Sequence, residues 1–190
     1  MTALRHLNLC LDLNIWCAAY LADKKGARQT AAQSLVATVR TGQSTSTMTV
    51  QLVISWGMLG WLRKVFEVDW GVRRQTVDPV IEAIASYARL GPMGMAPYLT
   101  LGGVGLMPMR DEEDAHVVET ALAGRAHLLV TANFDDFVTT RSRILEPAKV
   151  GIVETATARL VVAHPYRAAT WLREGMFPDA DTVARLLAGG

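Results

Sequence analysis

Cysteine is scarce in this chain, and neither sign of charge is in excess. Only Cys10 and Cys17 are present among 190 residues, and their spacing suits neither a zinc site nor a disulfide framework. We therefore expect a reduced, cytoplasmic compartment. The formal net charge is +1, so no overall basic field points to nucleic acid, although a local basic rim could still hold phosphates.

Long hydrophobic runs are also absent. Residues 7–22 are largely apolar, but Asp12 and Asn14 interrupt them and the preceding positive region is slight, which argues against a signal peptide. Residues 50–62 are too few to cross a bilayer. With 51% hydrophobic and 19% charged residues, the composition indicates a soluble folded protein with no membrane partner.

Apolar runs and turn signals alternate along the chain and predict its fold class. Strands are predicted at residues 7–13, 50–54, 98–101, 150–153 and 159–163, and helices at residues 15–22, 27–40, 56–66, 78–90, 166–173 and 181–187. Another helix starts at the four carboxylates of residues 111–114, and a short strand then leads to Asn133. Residues 41–47 and 68–75 are predicted connections. Such alternation indicates an α/β fold with a mainly parallel sheet.

The domain organisation follows from the absence of repeats and long linkers in the sequence. Residues 1–190 are expected to form a single domain. Within it, residues 1–149 are the expected core, and residues 150–190 are the expected C-terminal extension. The two strands of that extension are predicted to form a hairpin at an edge of the sheet.

Oxygen-bearing side chains recur where strands end or helices begin. Asp12 ends an otherwise apolar strand, Asp114 lies in the first turn of a helix, and Asn133 follows a later strand. Because ligands bind outside the carboxyl ends of strands in an open parallel sheet, we expect these residues, with Asp111 and Asp136, to face one pocket. Oxygen ligands suit Mg²⁺ or Mn²⁺, which can assist phosphoryl transfer.

Ordinary local structure could account for part of the same pattern. Asp111 could be the N-cap and Asp114 the N3 acid of a capping box, while Asn133 could simply form a turn. Asp12 could be paired or could cap a turn, because a buried carboxylate is costly unless it finds a partner.

Three stretches of the chain resemble one family. L-D-L-N at residues 11–14, D-E-E-D-A-H-V at residues 111–117 and V-T-A-N-F-D-D-F at residues 130–137 look like motifs of the PIN-domain ribonucleases, including the VapC-like toxins of bacterial toxin–antitoxin pairs. The resemblance implies a three-layer α/β/α sandwich and an endoribonuclease that depends on Mg²⁺ or Mn²⁺. A cognate antitoxin protein and a homodimer are further expectations.

The resemblance also implies roles for single residues. Asp12 and Asp114 would ligate the cation, with Asp111 as a further ligand. Asn133 would contribute a carbonyl oxygen or a water-mediated contact, and Asp136 or Asp111 would orient the attacking water. Two small polar residues match the neighbours of these ligands: Asn14 and Thr131.

One position departs from the family pattern. The family usually places a glutamate about five residues after the serine matched by Ser55, and this chain has Gly60 there. We expect close packing to favour this glycine, and metal binding to be weaker without the acid. The alternative function is a catalytically weak PIN-like module that binds RNA or protein. A phosphatase with Asp12 as nucleophile is disfavoured, because position 14 is not a second aspartate.

Basic residues outside the motifs are candidate contacts for RNA phosphates. A solvated helix or loop face is the alternative explanation, and a salt titration of RNA binding would distinguish the two. The histidines show no ligand spacing, and His116 is interpreted as a surface residue of its helix. The candidate phosphate contacts are Arg63, Lys64, Arg73 and Arg74.

Overall fold

The computed structural model describes residues 4–99, 109, 111–137 and 142–189. The strands are β1 (Arg5–Leu11), β2 (Gln43–Thr45), β3 (Met48–Val53), β4 (Leu128–Val130), β5 (Ser142–Glu146), β6 (Val150–Glu154) and β7 (Arg159–Ala163). The helices are α1 (Leu13–Lys24), α2 (Ala31–Thr41), α3 (Trp56–Lys64), α4 (Arg74–Leu90), α5 (Glu112–Ala123), α6 (Pro165–Arg173) and α7 (Ala180–Ala188). A π-helical segment (Val65–Asp69) continues α3, and a 3-10 turn (Phe134–Phe137) follows β4.

The strands form one sheet in the order β2-β3-β1-β4-β7-β6-β5. Its central strands β3, β1, β4 and β7 are parallel, whereas β2, β6 and β5 pair antiparallel to their neighbours. β1 and β3 are largely apolar and mostly buried, as expected of strands that are covered on both faces. The architecture is a three-layer α/β/α sandwich, and the predicted fold class is confirmed.

Several predicted boundaries on the β2–α4 side are wrong. Residues 41–47 are not only a connection, because they contain the edge strand β2. Helix α4 begins at Arg74, so Pro79 lies inside the helix rather than in its first turn. An exposed proline near a helix start removes a single backbone hydrogen bond, which water can replace, so the helix continues on either side of it. Tyr98 forms only a bridge to Ser55, and the remainder of the strand predicted there lies largely outside the described residues.

The C-terminal segment is more deeply integrated than the sequence indicates. β6 and β7 form the predicted hairpin, but β7 also pairs in parallel with β4, so the hairpin does not lie at the sheet edge. The edge strand on this side is β5, which the sequence analysis does not predict. Residues 150–190, expected to be an extension, therefore supply two strands to the same sheet. Among the helices of the described residues, none is both long and apolar enough to cross a membrane.

Candidate active site

A polar residue stands just beyond each of the four parallel strands, at one edge of the sheet. Asp12 follows β1, Thr131 follows β4, His164 follows β7, and Ser55 comes shortly after β3. The register pairs the last residues of β1, β4 and β7 with one another. Asp12, Thr131 and His164 therefore lie side by side at the carboxyl ends of their strands.

The Asp12 carboxylate is buried and held by three hydrogen bonds. Its Oδ1 accepts from the Leu13 backbone N–H at 2.6 Å, which caps α1. Its Oδ2 accepts from Thr131 Oγ1 at 2.7 Å and from Asn14 Nδ2 at 2.5 Å. Burial raises the pKa of Asp12 to about 6, even though the three hydrogen bonds lower it, and the charge of Asp136 adds to the rise. Asn14 and Thr131 thus fix the orientation of this carboxylate.

The same hydrogen bonds shape the turn after β4. Asn14 Oδ1 accepts from the Ala132 N–H at 3.1 Å, and Thr131 Oγ1 accepts from the Asn133 N–H at 3.0 Å. The Asn133 carbonyl in turn accepts from the Asp136 N–H at 3.1 Å. The position of Asp136 therefore depends on the residues that hold Asp12. Asn133 contributes its backbone N–H and carbonyl to this turn, and the residue is exposed to solvent.

Asp114 reaches this cluster from the first turn of α5. Asp111 is the N-cap of that helix, as one of the alternatives predicts, and its carboxylate accepts from the Glu113 N–H at 2.7 Å. Partial burial raises the pKa of Asp114 to about 7, and the negative charges of Asp12, Asp111, Asp136 and Glu113 add to the rise. Carboxylates that are far apart in the sequence are thus close enough to affect one another's ionisation.

The candidate metal ligands in this cluster suit a hard divalent cation. All of them are oxygens, and a cation would offset the negative charge that contributes to the raised pKa values of Asp12 and Asp114. Within the described ranges, no three His, Cys, Asp or Glu side chains form a ready-made metal site. Mg²⁺ commonly keeps several waters and uses one or two protein carboxylates, a number that Asp12 and Asp114 can supply.

The contact between α3 and α5 corrects two expectations. A Cβ at Gly60 would meet no atom within 4 Å, so close packing does not explain that glycine, and nothing else in the structure does. The crowded position is Gly57, where a Cβ would overlap the His116 imidazole. His116 is buried and not on the surface. Its Nε2 shares a 2.8 Å hydrogen bond with Ser55 Oγ, and Trp61 packs against its ring.

The four candidate phosphate contacts differ in their surroundings. The Arg63 guanidinium forms ion pairs with Glu67 and Asp78, and the Arg74 guanidinium lies 3.6 Å from the same Asp78 carboxylate. These ion pairs reduce the positive charge that either arginine can offer to RNA. The other two members of the set are Lys64 and Arg73, both exposed.

His164 is not among the site residues that the sequence predicts, although it lies at the same end of the sheet. It follows the predicted strand at residues 159–163, just as Asp12 follows the first strand, and that shared position is the signal that could have identified it. Partial burial, together with the charge of Lys149, holds the pKa of His164 below its ordinary value. The last parallel strand therefore adds a polar residue from outside the recognised motifs.

Comparison with known families agrees with this geometry. A family model described as PIN domain matches residues 8–135, a range that contains Asp12, Asp114 and Asn133. No curated protein and no solved structure matches the chain. PIN domains are typically nucleases, and these nucleases generally use divalent metal ions. Because the match covers more than half of the chain, the protein belongs to the PIN domain family.

Proposed function

We propose that this PIN domain protein is an endoribonuclease that hydrolyses RNA phosphodiester bonds with Mg²⁺ or Mn²⁺. The observation that supports the proposal most strongly is that Asp12, at the carboxyl end of β1, and Asp114, in the first turn of α5, are close enough for one charge to affect the other. Each has a raised pKa, and the charge of Asp12 contributes to the shift at Asp114. Paired acids in such surroundings are typical of functional sites.

Asp12 and Asp114 would hold the cation, with Asp111 as a further ligand. When bound, the cation would neutralise charge on the phosphodiester and make water easier to deprotonate. Thr131 and Asn14 keep the Asp12 carboxylate aimed at the site through their hydrogen bonds to Oδ2.

Asp136 is the proposed general base. It would accept a proton from the attacking water as the water oxygen bonds to phosphorus and the bond to the leaving ribose oxygen breaks. The leaving oxygen then takes up a proton from solvent. Asn133 would contribute an oxygen to the cation directly or through water, and its backbone already positions the turn that carries Asp136.

RNA cleavage with and without Mn²⁺ tests the proposal. We expect Asp12→Ala and Asp114→Ala to reduce cleavage by about 100-fold or more, the size typical of removing a preorganised electrostatic group. Glu112→Gln, which changes an exposed acid of the same helix turn, should cleave like the native protein. The proposal fails if both alanine variants, folded by circular dichroism, still cleave RNA at the native rate.

A catalytically weak module that binds RNA or protein is the second candidate. The observation that favours it is the neutral Gly60, where the family pattern has an acid. The two candidates differ in one measurement. A module of this kind would bind RNA without Mn²⁺-dependent cleavage, whereas the nuclease would cleave it.

We also propose that the protein acts in the cytoplasm as the toxin of a toxin–antitoxin pair, as a homodimer that a cognate antitoxin protein inhibits. The resemblance of the three motifs supports this more specific role. Expression of the native protein should then arrest growth, while expression of Asp114→Ala should not. Equal growth with both proteins would contradict the toxin role and leave the nuclease proposal in place.

A further inference from the structure

Two aromatic rings lie at the same edge of the sheet as the acids. His164 follows β7, and the register of β7 with β4 puts it beside Thr131, whose hydroxyl donates a hydrogen bond to Asp12. The rings of His164 and Tyr166 are stacked, with centroids 5.4 Å apart and an angle of 24° between their planes. Tyr166 is 72% exposed, so the face that does not meet His164 is open to solvent.

A cavity of about 370 Å³ lies between His164 and the turn that carries Asp136. Its lining includes Asn133, Asp136, Ala148 and His164. It is therefore bounded by Asp136, the proposed general base, and by His164, on whose ring Tyr166 stacks. Its volume is within the range typical of ligand clefts, about 300–1,000 Å³.

Two basic residues lie close to the aromatic pair, Arg167 next to Tyr166 in the sequence and Lys149 through a backbone hydrogen bond to His164. The Arg167 guanidinium donates to both oxygens of Glu146 at 2.8 Å, and the Lys149 ammonium donates to the same carboxylate at 3.0 Å. Two cations thus share one anion, which leaves a net positive charge. The Lys149 carbonyl accepts from the His164 N–H at 2.7 Å, and the charge of Lys149 contributes to the lowered pKa of His164, so this charge acts on the aromatic pair.

We propose that His164 and Tyr166 form a subsite that stacks a nucleobase of single-stranded RNA next to the bond that is cut. An exposed aromatic ring beside basic side chains is the usual way in which proteins hold an unpaired base and its phosphates. The inference rests on the proposed nuclease function, because only a nuclease would bind an RNA strand across Asp12 and Asp114. It assigns a role to the C-terminal segment, which lies outside the matched residues 8–135.

The subsite acts by stacking, which requires an aromatic ring and not a hydroxyl group. Tyr166→Phe should therefore keep the affinity, and Tyr166→Ala should lose it. Tyr166 is exposed, so neither change should disturb the fold. Leu186→Ala is a matched control, because Leu186 is an exposed apolar residue on α7.

The test measures binding and cleavage separately. A short single-stranded RNA that carries 2-aminopurine is titrated in EDTA, with anisotropy reporting binding and 2-aminopurine quenching reporting stacking. We expect Tyr166→Ala to weaken binding about tenfold, or about 1.4 kcal/mol, and to reduce the quenching. Tyr166→Phe and Leu186→Ala should bind like the native protein. With Mn²⁺, Tyr166→Ala should raise KM while kcat stays within about twofold of native.

The outcomes separate the subsite from the nuclease proposal. If Tyr166→Ala binds RNA as well as the native protein, or if Tyr166→Phe is as weak as Tyr166→Ala, the subsite is wrong, even if cleavage is normal. Failure of the native protein to bind single-stranded RNA also overturns it. If binding depends on Tyr166 but no RNA is cut with Mn²⁺, base stacking on Tyr166 stands, whereas its position beside a cleaved bond fails together with the nuclease proposal.

Discussion

Replacing Asp114 with asparagine is expected to stabilise the metal-free protein at neutral pH. The folded state raises the pKa of Asp114 from 3.8 to about 7. Between these values the folded protein binds more protons than the unfolded chain, so this residue lowers stability as the pH rises through that window. Asparagine has the same shape and no charge. The gain should therefore be complete above about pH 7 and should vanish below about pH 4.

The size of this gain can be bounded. A shift of about three pKa units corresponds to about 4 kcal/mol if all of it appears as stability. Asp114 is only partly buried, and solvent screening reduces the value to about 1–2 kcal/mol. For a chain of this length, each kcal/mol shifts Tm by about 2–4 °C. Asp114→Asn should therefore melt about 2–8 °C above the native protein.

Thermal melts in EDTA between pH 4 and pH 8 provide the assay. Ion-paired acids with lowered pKa values, such as Glu146 and Asp181, oppose this trend but act equally in both proteins, so the difference between the two melts isolates Asp114. Saturating Mn²⁺ should reverse the order. At about 100 times its Kd the cation would stabilise the native protein by about 2.7 kcal/mol, and it should stabilise Asp114→Asn much less.

Two results would refute this reasoning. One is a Tm for Asp114→Asn that is equal to or below the native value at pH 7.5 in EDTA. The other is an equal gain from Glu112→Gln, which removes an exposed charge from the same helix turn. That gain would mean that general acidic repulsion, rather than the charge buried near Asp12, is responsible.

Further predictions concern α3 and the basic residues. Gly57→Ala should lower the free energy of unfolding by about 1–3 kcal/mol, because its Cβ would overlap His116. Gly60→Ala, whose Cβ would enter open space, should raise it by about 0.5–1 kcal/mol. Denaturant midpoints equal to that of the native protein would contradict both predictions. Gly60→Glu should bind Mn²⁺ more tightly in calorimetry than Gly60→Gln, and equal affinities would show that position 60 does not face the cation. Arg73→Ala should reduce the slope of log K against log salt for RNA binding by about one, and an unchanged slope would remove it from the phosphate contacts.

The sequence by itself determined where the candidate site residues are located along the chain. Asp12 and the acids of residues 111–114 stand at the end of an apolar run and at the start of an amphipathic helix, and both signals are local. A buried strand needs consecutive apolar residues, and a helix N-terminus favours oxygen acceptors, so the sequence alone predicts these elements. The fold class follows from the same alternation.

Only the tertiary structure decided which side chains became neighbours. β4 lies between β1 and β7, and this order brings His164 beside the residues that hold Asp12. Burial of His116 against Gly57 depends on how α3 packs on α5. A helical pattern does not reveal which side chain occupies the space left by a glycine on the neighbouring helix. Periodicity reports only which face of an element is covered. The identity of the covering element depends on long-range pairing, because each strand can bury its apolar residues against many partners, and the lowest free energy of the whole chain selects one.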